Sequence, residues 1–231
     1  RALVEKDMQR RNIKETGSIQ NAEYMFAVCT GMEGIMAKQQ IISISREYGT
    51  GGREIAQKIA QDLGLQLYDR NMLEEIAQEK NIKPEMLESV DEKPRNRLLS
   101  RRVKGHSNSM EENLAQMQFD FLRKRADSGE SFVVLGRCSE TVLKDREGLV
   151  SIFVVGDEET KLRHTMDKFG VSRQEAVFKC ERHDRSRKRY HNYFSDFKWG
   201  DSRNYDICIN SSLLGIEGTA EILEAFINKL S

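Results

Sequence analysis

The sequence predicts an α/β fold, a doubly wound five-stranded parallel sheet with helices on both faces. Three observations carry this. Short β-branched runs alternate with segments of helical period along the chain. Phe132–Leu135 and Leu149–Val155 are apolar without interruption, as strands covered on both faces are. A Gly-rich turn joins an apolar run to a helix-like segment, where open α/β sheets bind ligands.

The elements follow in order. Ile41, Ile42 and Ile44 mark a buried strand over Ile41–Ser45. Ile55, Ala56, Ile59, Ala60 and Leu63 then recur at helical spacing, and Gly64 ends that helix. Leu65–Tyr68 is a second strand, and Asp69 is placed to cap the next helix, whose apolar face is Met72, Leu73, Ile76 and Ala77. Ser109-Met110-Glu111-Glu112 fits a capping box and opens a helix stopped near Gly129. Phe132–Leu135 and Val150–Val155 are central strands. Ser172-Arg173-Gln174-Glu175 opens a long basic helix, Tyr205–Ile209 is the fifth strand, and Ile216, Ala220, Leu223, Ile227 and Leu230 give a final amphipathic helix. All five strands are expected to run parallel, with the ligand site at their C-terminal ends.

Composition narrows the class. The 231 residues carry 37 Lys+Arg against 37 Asp+Glu, so no bulk field draws the chain to nucleic acid or to a membrane surface. No apolar run approaches the roughly 20 residues of a membrane span. Cys29, Cys138, Cys180 and Cys208 are far apart and form no C-x-x-C, which fits reduced thiols and a cytoplasmic setting. His106, His164, His183 and His191 share no metal-ligand spacing, so no metal ligands are assigned and surface or capping roles are expected. Arg1–Lys38 offers no motif and reads as an N-terminal extension. The basic block Lys93–Lys104 reads as a solvated insertion.

The informative unit is Arg46-Glu47-Tyr48-Gly49-Thr50-Gly51-Gly52-Arg53-Glu54, between strand and helix. Glycines let the backbone approach a ligand, and N–H groups at a helix N-terminus favour phosphate. The consensus G-x-x-x-x-G-K-[ST] is not met. Arg46 stands for the first Gly, Gly52 for the Lys and Arg53 for the hydroxyl residue. Two readings stand, a phosphate cradle and a tight βα turn.

The second signal is Lys179–Arg189, with six bases and two acids. Arg182, Arg185 and Arg189 lie at i, i+3 and i+7 and share a face, with Arg187 expected to point away. An arginine row facing a phosphate loop suits phosphoryl transfer, where charge on the moving group is neutralised away from water. A solvated basic face is the alternative.

Ser45–Glu54, Tyr68-Asp69-Arg70, Leu135-Gly136-Arg137-Cys138, Glu181–Arg189 and Lys198-Trp199-Gly200, in this order, resemble the cytidylate kinase-like family, bacterial relatives of cytidylate kinase. The resemblance implies a P-loop kinase domain over 39–231, with a helical monophosphate-binding insertion at about 70–128 and a mobile lid at about 180–203, after an extension over 1–38. By this likeness Gly49, Thr50, Gly51, Gly52, Arg53 and Glu54 bind nucleotide phosphates, with Arg53 replacing the loop lysine. Asp69 and Arg137 bind the acceptor, and Arg182, Arg185 and Arg189 gather round the transferred group. The implied activity is ATP-dependent phosphoryl transfer, with Mg²⁺, to a nucleoside monophosphate, cytidylate foremost, or a similar small acceptor. A non-catalytic nucleotide-binding module is the alternative. The expected partner is a small nucleotide, with neither membrane nor nucleic acid.

Overall fold

The computed structural model describes residues 38–83, 87, 102–103, 106–107 and 109–230. The proposed extension over 1–38, but for Lys38, and most of the basic block Lys93–Lys104 lie outside the described residues.

The first strand, β1 (Ile41–Arg46), is central because it is apolar on both faces. Its neighbours are β5 (Phe132–Leu135) and β6 (Leu149–Val155), both parallel to it, with Ile41 opposite Phe132 on one side and Leu149 on the other. β2 (Gln66–Tyr68) pairs parallel with β5, and β7 (Ile207–Asn210) pairs parallel with β6. The order is therefore β2-β5-β1-β6-β7, a five-stranded parallel sheet as predicted. Two short strands, β3 (Arg102–Val103) and β4 (His106–Ser107), form a separate antiparallel pair.

Alternation along the strands sorts the core into two layers. Ile42, Ile44, Val133, Leu135, Ile152 and Val154 face α1 (Gly52–Asp62) and α7 (Ser211–Leu230), meeting Ile55, Ile59, Leu223 and Ile227. Ile41, Phe132 and Val134 face α2 (Met72–Lys80) and α3 (Met110–Asp127), meeting Met72, Leu73, Phe121 and Leu122. Each fully buried aliphatic or aromatic side chain contributes roughly 1.5–3 kcal/mol. The helices thus cover both faces, leaving the C-terminal strand ends for the site.

The remaining helices are α4 (Ser139–Val142), α5 (Glu158–Phe169) and α6 (Arg173–Phe194). Two of the three expected N-caps form. Ser109 Oγ accepts from the Glu112 N–H at 3.3 Å, and Ser172 with Glu175 completes a reciprocal capping box. Asp69 does not cap α2. Asn71 holds that position, and its Oδ1 accepts from the Asp69 N–H at 2.7 Å. The fifth strand starts later than expected, at Ile207. Asp206 instead turns its carboxylate to Ser151, accepting from that residue's N–H and hydroxyl at 2.7 Å each.

Candidate functional site

The Gly-rich turn leaves β1 and enters α1. Gly49 and Gly51 have φ of 82° and 74°, the left-handed region that side chains disfavour. At Gly49 space is short as well, since a Cβ would lie 2.6 Å from the Lys161 carbonyl oxygen on α5. The Thr50 hydroxyl is turned inward, donating to the Glu47 carbonyl at 2.9 Å and accepting from the Gly52 N–H at 3.3 Å. Ser211 Oγ donates to the Thr50 carbonyl at 2.8 Å and ties the turn to the end of the sheet. Glu47, which sequence reasoning missed, pairs with Lys161 at 2.9 Å and braces the turn against α5.

Over this turn lies a cavity of about 350 Å³, lined among others by Arg46, Gly49, Gly51, Gly52, Arg53 and Asp69. Gly49, Gly51, Gly52, Arg53, Glu54 and Asp69 are therefore brought together, whereas Thr50 is buried and does not line the cavity, and Arg137, expected with Asp69 at the acceptor, lies elsewhere. Arg53 lines this cavity beside Asp69. Its Nε lies 3.0 Å from Asp69 Oδ2, and the side chain is 57% exposed. One helical residue is a rotation of about 100°, so a side chain at 53 cannot project where one at 52 would. Glu54 is half-buried, which raises its pKa, but its bond and ion pair with Lys168 hold the carboxyl below the usual range.

Beside this cavity is a smaller one at the ends of β1 and β5, lined by Ser45, Arg137, His191 and Trp199. Arg137 is 3% exposed and has φ of 64°, followed by Cys138 at 54°. Two consecutive left-handed residues without glycine cost of order 1–3 kcal/mol each, and such strain gathers at functional positions. Cys138 is buried against Ala115, Phe119 and Tyr190. The smaller cavity offers about 20 Å³, room for little more than a water molecule. Two residues line both cavities, Arg46 and Arg187.

Helix α6 closes the site, and here the structure corrects the expected arginine face. Arg182, Arg185 and Arg189 are on the exposed side, and Arg185 is 65% exposed beside Glu181. Arg187, expected to point away, is the inward arginine, 15% exposed. Its Nη1 donates to the Arg46 carbonyl at 3.2 Å, and its guanidinium lies 5.6 Å from the Tyr48 ring centroid. The direction is set by the buried stripe Ala176, Cys180, Tyr190 and His191, and Arg187 falls on the same stripe, seven residues after Cys180. Burial raises the Tyr48 pKa, and the charges of Arg187 and, more weakly, Arg182 oppose that rise.

The same face carries Asp184, whose Oδ1 accepts from the Tyr48 N–H of the turn at 2.7 Å. Burial pushes the Asp184 carboxyl up to about 6, against that hydrogen bond and the charge of Arg187. His183 stacks on Tyr48 with ring centroids 4.4 Å apart. His191 is not a surface residue. It is buried, with Nε2 2.6 Å from Glu140 Oε1 behind the smaller cavity. His164 places Nδ1 2.9 Å from the Gly49 carbonyl. Trp199 packs edge-on against Phe153, centroids 5.2 Å apart.

Among the described residues no group of three or more His, Cys, Asp or Glu is placed to hold a metal, and no helix is long and apolar enough to cross a membrane. The residues do not fit the magnesium ligand of a consensus loop. Arg53 stands at the hydroxyl position, and the Thr50 hydroxyl is committed to the Glu47 carbonyl.

None of the curated proteins compared matches the sequence. The chain is similar to a solved structure of an uncharacterized protein from Eubacterium ventriosum ATCC 27560, at 32% identity and a TM-score of 0.66 over 82% of this chain and 99% of that one. It is more remotely similar to shikimate kinase from Bacteroides thetaiotaomicron, at 11% identity and a TM-score of 0.48 over 82% and 98% of the two chains. A gluconokinase from Sinorhizobium meliloti 1021 shows 12% identity and a TM-score of 0.43 over 84% and 93%. A parallel five-stranded sheet, a glycine turn at its C-terminal edge and a family profile matching residues 41–213 give one result: the chain belongs to the cytidylate kinase-like family, with a fold of P-loop kinase type.

Proposed function

We propose that the protein transfers the γ-phosphoryl group of ATP to a nucleoside monophosphate, with cytidylate the first candidate. Family membership points to nucleotide-dependent phosphoryl transfer in general. The observation that carries the finer reading is the pair of adjoining cavities whose common wall is Arg46 and Arg187. The cavity over the glycine turn takes the donor, whose phosphates meet the backbone N–H groups at the start of α1. The cavity at Arg137 takes the acceptor phosphate. The bond from the γ-phosphorus to its bridging oxygen breaks as an acceptor phosphate oxygen bonds to the same phosphorus. ADP leaves with the bridging oxygen, and a nucleoside diphosphate forms.

Arg187, partly buried between the cavities, neutralises charge on the moving group, and in a water-poor site such a cation is worth more than in solvent. Arg53 and Asp69 line the larger cavity only. Arg182, Arg185 and Arg189, on the outer face of α6, supply a field that draws in polyanions. Magnesium enters as part of the substrate, bound to the nucleotide's own phosphates. The smaller cavity is too tight for an acceptor as it stands, so α6 moves outward for entry and returns for transfer, the role proposed for a lid over about 180–203. The proposed domain over 39–231 contains all these parts.

A second reading is a nucleotide-binding module without turnover. It is favoured by Gly52 at the lysine position and by Asp184 lying on a backbone N–H of the turn. ATP turnover measured against a panel of nucleoside monophosphates separates the two. Acceptor-dependent turnover supports the kinase, and ATP binding with no turnover on any acceptor supports the module.

A further inference from the structure

Gly52 is the residue that most sets this turn apart from a consensus phosphate loop, and its backbone does not explain it. It begins α1 and is not among the described glycines with φ in the left-handed region. Space explains it. A Cβ at position 52 would lie 2.7 Å from Arg46 Cβ and 2.8 Å from Arg46 Cγ. The stem of Arg46 thus occupies the volume into which a side chain at 52 would grow. In the consensus the arrangement is reversed, with glycine at the first position and lysine after the last glycine.

We infer that Arg46 is the phosphate-binding cation of this loop, carried on β1 in place of a lysine at 52, and that Arg46 and Gly52 are one reciprocal exchange. The inference rests on the turn being a nucleotide site and adds which residue replaces the lysine. Three further observations support it. Arg46 lines the cavity over the turn and also the one at Arg137, so it stands between donor and acceptor. Its backbone is held by Arg187 Nη1, 3.2 Å from its carbonyl oxygen. Arg53, the other candidate, follows position 52 by one helical step of about 100°, so its side chain does not project where one at 52 would. A guanidinium also offers two parallel donors to phosphate oxygens where an ammonium offers a point charge.

The test is ATP affinity, measured calorimetrically with magnesium on the whole chain, with melting temperatures taken in parallel. Four proteins are compared: wild type, Arg46→Met, Gly52→Lys, and Arg46→Gly with Gly52→Lys. Methionine keeps the stem over Gly52 and drops the charge. Arg46→Met should bind ATP at least about tenfold more weakly at a nearly unchanged melting temperature. Gly52→Lys alone should bind poorly, because its Cβ meets the Arg46 stem. The double variant rebuilds the consensus and should return to within about threefold of wild type. Wild-type affinity in Arg46→Met, or a double variant no better than Gly52→Lys, overturns the inference and leaves the functional reading intact. If Arg46→Met proves unstable, recovery in the double variant decides. A wild-type chain that does not bind ATP overturns both.

Discussion

Asp184 is a buried carboxylate that α6 presses onto the glycine turn, and replacing it should stabilise the protein at neutral pH. The groups facing it are the Tyr48 N–H and Glu47 on the turn, Lys161 on α5 and Arg187 on its own helix. Burial dominates, and Glu47 adds to it, lifting the carboxyl from 3.8 to about 6 despite the two cations and the hydrogen bond. A raised carboxyl in the folded state binds its proton more tightly than the unfolded chain does. Its contribution is therefore fully present below about pH 4 and is lost as pH rises through 6. The shift of about two units sets a ceiling near 3 kcal/mol, at 1.36 kcal/mol per unit, and partial solvent access lowers it to roughly 1–3 kcal/mol. Asp184→Asn keeps an oxygen to accept from the Tyr48 N–H and never ionises. Urea denaturation at steps from pH 4 to 7.5 should show the variant gaining on wild type between pH 4 and 6. It should then stay ahead, by roughly 2–4 °C of melting temperature per kcal/mol. A difference independent of pH, or a wild type more stable at pH 7.5, would refute the reasoning.

Two further outcomes follow from the same geometry. Arg53→Ala removes a rim ion pair with an exposed arginine, so stability should fall by less than about 1 kcal/mol. ATP affinity should change by less than about threefold, because Arg46 and not Arg53 supplies the cation over the turn. A loss of about tenfold or more would return that role to Arg53. Gly49→Ala places a Cβ 2.6 Å from the Lys161 carbonyl at a left-handed backbone, so urea midpoints should report a loss of roughly 2–4 kcal/mol. A loss below about 0.5 kcal/mol would show that the turn yields freely and is not the rigid cradle described.

The sheet was legible because burial leaves a plain mark on sequence. Ile41, Ile42 and Ile44 had to be covered on both faces, and so did Phe132–Leu135. The glycine turn was legible for the same kind of reason, since Gly49 and Gly51 answer a backbone demand. What sequence did not show was direction. Arg182, Arg185 and Arg189 do share a helix face, but which face meets the site depends on the packing of Ala176, Cys180 and Tyr190. Extending that stripe by seven residues from Cys180 reaches Arg187, a signal present in the sequence and passed over. Arg53 is next to the lysine position in sequence, and one step of helix rotation brings its side chain to Asp69. Glu47 and the Glu140–His191 pair left no local mark, because their partners are 114 and 51 residues away.

The central claim is phosphoryl transfer across the wall formed by Arg46 and Arg187, and single-turnover transfer of γ-labelled phosphate from ATP to cytidine monophosphate tests it most directly. Wild type should move label onto the acceptor. Arg187→Ala should slow this by about 10²-fold or more, as loss of a transition-state cation does, while Arg185→Ala stays within about twofold. No label on the acceptor, or equal rates for Arg187→Ala and Arg185→Ala, would contradict the account.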